Sequence, residues 1–266
     1  MATTQRDLTE AGRAARALAR SGLAVIRVPE DLPELAEYGL PEAGLAPLVK
    51  LGLVRRAARG VYEVRDPNGV TRSSFETLLA GRFAGTPHLV TGWWALAQAG
   101  LTNQDVRTVV VLTATNRRDL AIAGRRVRVA KAHDDLWGGD VRENGLVVAR
   151  PERAFCDCAG NARTARIPAT RIAEALETYL DSTPQALNRL ARAARRTGSP
   201  VVARRLGYLV ELIAGEEAAQ PFRDLFGAPH DAEALDPGDD DSPIVPGWHV
   251  RTKLAPEELL EHRVVS

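Results

Sequence analysis

The sequence predicts an α+β protein in two parts, a small N-terminal domain over residues 1–68 and a larger mixed α/β domain over residues 69–266. A chain of 266 residues has room for two domains, because single domains commonly hold about 100 to 200 residues. Short helical patterns and β-prone runs alternate over residues 8–64, and longer amphipathic helices dominate residues 151–214. The motif Asp66-Pro67-Asn68-Gly69 between them is the densest turn signal in the first third of the chain.

Three short helices are predicted in the N-terminal domain. The first covers residues 8–20, where small apolar residues recur at helical spacing, and a short strand over 24–28 follows it. Asp31 is expected to cap a second helix that ends near residue 38. The third should run from 41 to 51, although Pro47 would then interrupt its hydrogen bonds.

Residues 53–64 form two β-prone runs around a basic turn, which predicts a β-hairpin with arginines near its tip. Three helices followed by a hairpin is the order of a winged helix-turn-helix domain, in which the third helix enters the major groove and the wing contacts the DNA backbone. Gly60 and Tyr62 are interpreted as structural residues of the wing. Phosphate contact is expected from four residues, with simple solvation of an exposed hairpin as the alternative: Lys50, Arg55, Arg56 and Arg59.

The larger domain is predicted to begin with a helix that has Ser73 and Glu76 at capping-box spacing. A helix over 92–99 carries Trp93 and Trp94, for which packing in the core is favoured over stacking on bases. The pattern then predicts strands over 109–112, 125–130 and 146–149, helices over 151–159, 167–180, 184–197 and 201–214, a loop-rich segment after 218, and a last strand over 247–253.

Charge is unevenly distributed, although the net charge of the chain is only +1. Residues 181–206 hold six arginines against one aspartate, a net charge of +5, whereas residues 211–241 hold ten acids against one arginine, a net charge of −9. The basic helix is suited to nucleic acid, an acidic partner or the chain's own acidic stretch, and a solvated face is the simpler alternative. The candidates for such a surface are Arg189, Arg192, Arg195 and Arg196 on this helix, and Arg117, Arg118, Arg125, Arg126 and Arg128 around a hairpin.

Little in the sequence points to catalysis, a cofactor or a metal. The five histidines share no metal-binding spacing, and Cys156 and Cys158 lie two apart on a predicted helix, where they face different directions. Glu152 and Asp157 are interpreted as acids of a helix's first turn and not as an acid–base pair. No apolar run approaches the roughly 18 residues of a membrane span, and residues 1–8 do not resemble a signal peptide. We therefore expect a cytoplasmic protein that is not an enzyme, with no membrane contact.

Five motifs occur in an order that resembles the AbiEi family, the antitoxins and transcriptional repressors of type IV toxin-antitoxin pairs. The resemblance covers nearly the whole chain. The motifs are residues 48–56 with Arg59-Gly60-Val61-Tyr62, residues 89–96 with Gly100-Leu101-Thr102, residues 151–157, residues 205–209, and Trp248-His249-Val250.

The resemblance implies a repressor of its own operon that binds double-stranded DNA at the operator and counteracts a nucleotidyltransferase-like toxin, directly or indirectly. A stand-alone winged-helix transcription factor, whose larger domain senses a ligand or forms a dimer, is the alternative. A nuclease-like enzyme in the second domain is a third hypothesis, since that domain is of mixed α/β character.

Overall fold

The chain is described by a computed structural model over residues 5–38, 45–66, 68, 70–71, 73–132, 135–160, 167–226, 231–236 and 238–263. Helices and several β-sheets are mixed along it, which confirms the predicted α+β class. In chain order the elements are α1 (Gln5–Ser21), β1 (Val25–Arg27), α2 (Leu32–Glu37), α3 (Ala46–Lys50), β2 (Val54–Ala58), β3 (Val61–Val64), α4 (Phe75–Phe83), β4 (His88–Thr91), α5 (Trp93–Gln98), β5 (Thr108–Thr113), β6 (Leu120–Ile122), β7 (Arg125–Lys131), β8 (Gly139–Val141), β9 (Val147–Ala149), α6 (Pro151–Gly160), α7 (Ala169–Ser182), α8 (Ala186–Thr197), α9 (Pro200–Ala214), α10 (Glu216–Arg223), β10 (Glu233–Ala234), β11 (Ile244–Val245), β12 (Val250–Arg251) and α11 (Pro256–Leu259).

The chain divides into two compact units. Unit 1 consists of Met1–Pro87, Leu120–Arg126 and Arg142–Leu146, and unit 2 consists of His88–Asp119, Val127–Val141 and Val147–Ser266. The sequence analysis ended the first domain at residue 68, which lies inside unit 1. The unit extends further because α4 packs against β1 and β3, with Leu78, Leu79 and Phe83 buried.

In unit 1, β3 lies between β1 and β2, and both neighbours are antiparallel to it. The hairpin of β2 and β3 turns at Arg59-Gly60, and a register shift between Arg56 and Ala58 marks a bulge in β2. Gly60 has a φ of +76°, as its structural interpretation requires, and its carbonyl accepts a hydrogen bond of 2.8 Å from the Val28 amide. The hairpin tip is therefore fixed to the end of β1.

Apolar side chains from α1, α2 and α3 pack against this sheet and form a hydrophobic core in unit 1. Tyr62 packs against the core from a half-buried position, as predicted for a structural residue. The buried members are Ala17, Leu18, Ile26, Leu35, Leu45, Leu48, Leu53, Val54 and Val64.

Two local predictions for the N-terminal helices need correction. Among the described residues α3 begins only at Ala46, so that Pro47 stands in the first turn, where the missing amide hydrogen costs no helical hydrogen bond. The predicted start at Pro41 lies outside the described residues. Asp31 occupies the N-cap of α2 but makes no capping bond, because its carboxylate accepts from the Arg27 amide at 2.8 Å and from the Arg27 guanidinium.

The cap of α4 is displaced by one residue from the prediction. Ser74, and not Ser73, is the N-cap, and its hydroxyl accepts a hydrogen bond of 3.2 Å from the Thr77 amide. Ser73 instead donates to the Glu63 carboxylate at 2.8 Å. Either serine of the doublet has a side chain suited to an N-cap, and the contact of Ser73 with Glu63 leaves Ser74 to serve as the cap.

Unit 2 is built on a mixed sheet in which β7, β5, β4, β9 and β8 are neighbours in that order. Its buried strand β4 was not predicted as a strand. It pairs antiparallel to β5 and parallel to β9, and all four of its residues are buried. The parallel neighbour leads directly into α6, which places the start of α6 at one end of the sheet.

The helices α5 to α9 match the predicted ones to within two residues at each end, whereas α10 and α11 were not predicted. The segment after residue 218 was predicted to be loop-rich, whereas α10 extends to Arg223. Pro221 nevertheless lies inside α10, where Ala219 and Phe222 are buried.

Trp93 and Trp94 are both buried, which confirms the core interpretation. Within the described residues, no helix is both long and apolar enough to cross a membrane.

Candidate nucleic-acid interface and arginine pocket

Arg56 and Arg59 are exposed on the hairpin of unit 1, as predicted. Arg56 lies on β2 opposite Tyr62, and Arg59 is the first residue of the turn. Neither has a carboxylate partner in the described part of the chain. Both guanidinium groups are therefore available to anions in solvent.

Arg55 differs from its two neighbours because it is engaged within the sheet. Its Nη2 and Nε atoms donate to Glu63 Oε2 at 2.6 and 3.1 Å. Glu63 is only 2% exposed, and Ser73 satisfies its other carboxylate oxygen. The charge of Arg55 thus compensates a buried acid, and the sequence analysis, which counted Arg55 with Arg56 and Arg59, could not foresee this partner.

The exposed side of α3 carries one cation. Leu45 and Leu48 are buried beneath the helix, while Val49 and Lys50 are exposed. Lys50 is the last residue of α3, where the negative end of the helix dipole favours a cation. It has no ion-pair partner among the described residues, so it is accessible to an external phosphate.

An open cleft of about 450 Å³ borders Arg55 and Arg56 in unit 1, and its other side is formed by Ala121, Ala123 and Gly124. Arg125 and Arg126 follow this turn directly and belong to the same unit. Part of the second predicted basic cluster therefore shares unit 1 with the hairpin. Arg125 lies over the Phe75 ring at 5.3 Å, and Arg126 is exposed.

The rest of that cluster belongs to unit 2. Arg128 is 3.9 Å from a carboxylate oxygen of Asp119, Arg118 is exposed, and Arg117 is half-buried. The five arginines predicted as one cluster are therefore divided between the two units.

The basic stripe of α8 contributes three arginines to one pocket, hereafter the arginine pocket. Arg189, Arg192 and Arg196 lie at successive turns on one side of α8, and Arg195 does not line the pocket. Leu190, Ala193 and Ala194 are buried on the inner side of the helix. The pocket has a volume of about 300 Å³ and is lined by Trp137, Gly138, Arg150, Glu152, Arg153, Arg189, Arg192, Ala193 and Arg196.

A buried carboxylate, Glu152, and a half-buried one, Asp157, hold two of the arginines that line this pocket. Glu152 forms a short ion pair with Arg189 and accepts a hydrogen bond of 2.8 Å from the Tyr179 hydroxyl. Burial, and after it this hydrogen bond, raises the pKa of Tyr179, so the hydroxyl stays protonated and donates. Asp157 accepts from Arg153 Nε at 2.9 Å and from Thr91 Oγ1 at 2.5 Å.

Asp157 is a correction to the sequence analysis. It was interpreted as an acid of the first helical turn, together with Glu152. Glu152 does occupy the first turn of α6, which covers Pro151–Gly160. Asp157 is the seventh residue of this helix and accepts hydrogen bonds from Thr91 and Arg153. Its role is therefore to join α6 to β4.

Trp137 is a pocket residue that the sequence analysis missed. The guanidinium carbons of Arg153 and Arg196 lie 4.5 and 4.8 Å from the centre of its ring. Arg150 and Arg153 were also missed as site residues. Arg153 lies within the motif of residues 151–157, and this position could have identified it as a site residue. Nothing in the local sequence marked Trp137.

The two arginines that follow the α8 stripe in sequence face the acidic stretch instead. Arg204 donates to the Asp231 carbonyl at 2.7 Å, and Arg205 lines a second cavity, of about 410 Å³, with Glu233 and Asp236. Burial is the main cause that raises the pKa of Asp236. In the described residues Arg204 and Arg205 donate to backbone carbonyls and form no ion pair with an acid, whereas Arg189 of α8 is paired with Glu152.

The two cysteine thiols lie in surroundings that disfavour their ionised form. Burial raises the pKa of both thiols, Cys156 and Cys158, and so favours their unreactive protonated forms. No cluster of three or more histidine, cysteine, aspartate or glutamate side chains with metal-binding geometry occurs in the described ranges.

The fold and the arginine pocket define a two-unit α+β protein with cationic surfaces in both units. Its sequence matches no family model and none of the curated proteins searched. Its fold is similar to that of the RV2827C protein from Mycobacterium tuberculosis, with a TM-score of 0.69 and 18% sequence identity over 97% of this chain and 94% of that one. At this identity the likeness establishes the fold alone. The AbiEi resemblance therefore stays a prediction based on the order of its motifs.

Proposed function

We propose that the protein is a DNA-binding regulator whose first unit acts as a winged-helix domain. One observation carries the proposal: three helices and three strands occur in the order α1-β1-α2-α3-β2-β3, with exposed Arg56 and Arg59 on the terminal hairpin. In winged-helix proteins this hairpin is the wing that contacts the DNA backbone.

The balance of charge and apolar surface favours binding through phosphates over reading of bases. Lys50 is the one charged residue on the described part of α3, and Val49 beside it is 43% exposed. Guanidinium and ammonium groups displace counterions from DNA without selecting a base. We therefore expect affinity to depend strongly on salt.

The test compares the native chain with the double variant Arg56→Gln, Arg59→Gln, using a labelled duplex from upstream of its gene and one of unrelated sequence. Each phosphate contact contributes about 0.9 to the slope of log K against log salt. The variant should lose affinity for both duplexes, with a slope smaller by about 1 to 2 if each arginine neutralises up to one phosphate.

Arg13→Gln with Arg16→Gln is the matched control, because both arginines are exposed on α1 and the two substitutions remove the same total charge from the same unit. Its affinity and slope should stay near those of the native chain. If the control loses as much DNA affinity as the double variant, the hairpin does not contact DNA, and the loss reflects only the lower charge of the chain.

We further propose that the chain is an antitoxin that represses its own operon and counteracts a nucleotidyltransferase-like toxin. The support is the AbiEi-like order of motifs together with the proposed DNA-binding unit. In this proposal the protein acts by binding and has no catalytic role.

A stand-alone regulator that senses a ligand is the second candidate. It is favoured by the arginine pocket in unit 2, which converges several cations on a concave site. Co-expression with a neighbouring toxin gene separates the two candidates, since a stand-alone regulator would not restore growth.

A further inference from the structure

We propose that the arginine pocket binds the phosphate monoester group of a small molecule. The proposal concerns unit 2 alone and does not depend on DNA binding by unit 1. It rests on the convergence of arginines at one point, on the carboxylates that offset only some of them, and on the shape of the pocket.

Charge balance indicates the ligand's charge. Five arginines line the pocket, and three of them have carboxylate partners: Arg189 with Glu152, Arg153 with Asp157, and Arg150 with Asp140 at 3.7 Å. Arg192 and Arg196 have no carboxylate partner in the described part of the chain. This leaves two uncompensated positive charges, which match the charge of about −1.5 to −2 on a phosphate monoester near pH 7.

The pocket is organised before any ligand arrives. Arg153 is only 4% exposed and is held by both Asp157 and the Trp137 ring. Glu152 is 6% exposed and holds Arg189 while it accepts from Tyr179. Because these guanidinium groups are already ordered, binding loses little side-chain entropy at them.

Gly138 lines the pocket, and its backbone lies close to the Arg153 side chain. A β-carbon at this position would lie 3.0 Å from the Arg153 β-carbon, tighter than nine in ten real contacts of a β-carbon, and Gly138 has a φ of +75°. The Gly138 carbonyl accepts a hydrogen bond of 2.7 Å from the Arg150 amide. Glycine therefore lets the loop of Trp137 close over the start of α6.

The shape favours a small ligand over a duplex. A volume of about 300 Å³ lies at the lower end of small-molecule sites and holds a phosphate with a modest organic group. A duplex is contacted by cations spread along a surface, whereas Arg189, Arg192 and Arg196 converge here. Arginine also suits phosphate better than lysine does, because its planar donors bind two oxygens at once.

The experiment titrates the full chain with inorganic phosphate and, separately, with adenosine 5′-monophosphate, at constant ionic strength. Calorimetry gives the affinity, and the fluorescence of Trp137 reports occupancy near Arg196. Arg192→Gln and Arg196→Gln should each weaken binding of the monophosphate by about tenfold or more, since each removes a charge-assisted hydrogen-bond donor.

Arg195→Gln is the matched control on the same helix, because Arg195 is exposed, carries the same charge and does not line the pocket. Its affinity should stay within about twofold of the native value, since only screened long-range attraction is lost. Trp137→Phe should abolish the fluorescence response while calorimetry still detects binding.

The pH dependence of the affinity for the monophosphate is a further test, because a merely structural effect of the variants would not change it. Arginine stays charged throughout, whereas the second proton of a phosphate monoester is lost near about pH 6. Affinity should therefore rise from about pH 5 to about pH 7.5 and then level off.

The two probes distinguish the sources of the phosphate. Equal affinities indicate recognition of the phosphate group alone, and tighter binding of the monophosphate indicates that the organic part also makes contact; both outcomes support the proposal. Three outcomes overturn it: no binding of either probe at millimolar concentration, equal losses for Arg195→Gln and Arg192→Gln, or displacement of the monophosphate by duplex DNA, which would assign the pocket to a nucleic-acid surface.

Discussion

Among single residues, Gly207 shows most directly how side-chain volume limits the packing of unit 2. It lies within α9, and a β-carbon there would be 2.2 Å from Trp248 Cζ3 and 2.8 Å from Phe222 Cβ. The indole cannot easily retreat, because Trp248 Nε1 donates to Glu211 at 2.9 Å and the Arg223 guanidinium covers the ring at 4.5 Å.

Gly207→Ala is predicted to destabilise unit 2. Overpacking of a core costs about 1 to 3 kcal/mol. The gain in helix propensity is about 1 kcal/mol. Because the clash involves a fully buried indole, we expect a net loss of about 2 kcal/mol, measured by urea unfolding with near-ultraviolet circular dichroism.

Gly12→Ala is the control for this substitution. Nothing lies within 4 Å of a β-carbon at Gly12 in α1, so alanine should stabilise the helix by about 0.5 to 1 kcal/mol. If both substitutions stabilise the protein, the packing at Trp248 is not as tight as the structure has it.

The charged residues could be identified from the sequence, but their partners could not. The analysis selected Arg55 and Arg189 by residue type and spacing, and each proved to be paired with a buried glutamate. Lys50 and Arg59 carry the same sign of charge and remain exposed. Pairing depends on acids that lie 8 residues away from Arg55 and 37 residues away from Arg189, so no local pattern could predict it.

Among the elements, α6 connects the sheet of unit 2 to its helices. Asp157 of α6 receives hydrogen bonds from Thr91 at the end of β4 and from Arg153. Glu152 of α6 joins Tyr179 of α7 to Arg189 of α8. The motif of residues 151–157 therefore positions both sides of the arginine pocket.

Thr91→Val is predicted to weaken the attachment of α6 to β4. Valine keeps the shape of threonine and removes the donor to Asp157, and a hydrogen bond to a charged group contributes about 1.5 to 3 kcal/mol. The free energy of unfolding should fall by that amount, and amide exchange in α6 should accelerate. If the unfolding free energy of Thr91→Val stays within about 0.5 kcal/mol of the native value, Thr91 does not help to attach α6 to β4.

Thr108→Val provides the comparison. Thr108 is half-buried on β5 and makes no side-chain hydrogen bond in the ranges that the structure describes. Valine is well suited to a strand, so this substitution should leave stability unchanged or raise it slightly. The contrast isolates the hydroxyl of Thr91 from the general effect of exchanging threonine for valine.

Elements with strong periodicity were predicted well, and those defined by tertiary contacts were not. The amphipathic pattern of α8 predicted a helix and its buried side. The strand β4 was missed because four buried residues in succession show no alternation, and α10 was missed because Pro221 is tolerated there by packing through Ala219 and Phe222.

At the scale of the whole molecule, the proposed functions are assigned to different units. Arg56 and Arg59 belong to unit 1, and the arginine pocket belongs to unit 2. If the antitoxin proposal holds and neutralisation resides in unit 2, repression and neutralisation should be separable by point substitutions in the full chain.

Co-expression with the neighbouring toxin gene tests this separation. Arg56→Gln with Arg59→Gln should lose repression of a promoter reporter by about tenfold or more, since lost phosphate contacts lower affinity strongly, and should still restore growth. Arg13→Gln with Arg16→Gln should behave like the native chain in both assays. Failure of the native chain to restore growth would contradict the antitoxin role and leave the stand-alone regulator.

The sequence by itself determined the α+β class, most of the helices, and the presence of exposed cations on a hairpin and on α8. These features depend on local periodicity and residue type, which neighbouring residues express directly. Only the tertiary structure decided that Arg55 compensates Glu63, that Arg189, Arg192 and Arg196 converge beside Trp137, and that unit 1 extends through α4. The physical reason is that charge pairing and pocket shape depend on distances between segments far apart in the chain, which folding alone sets.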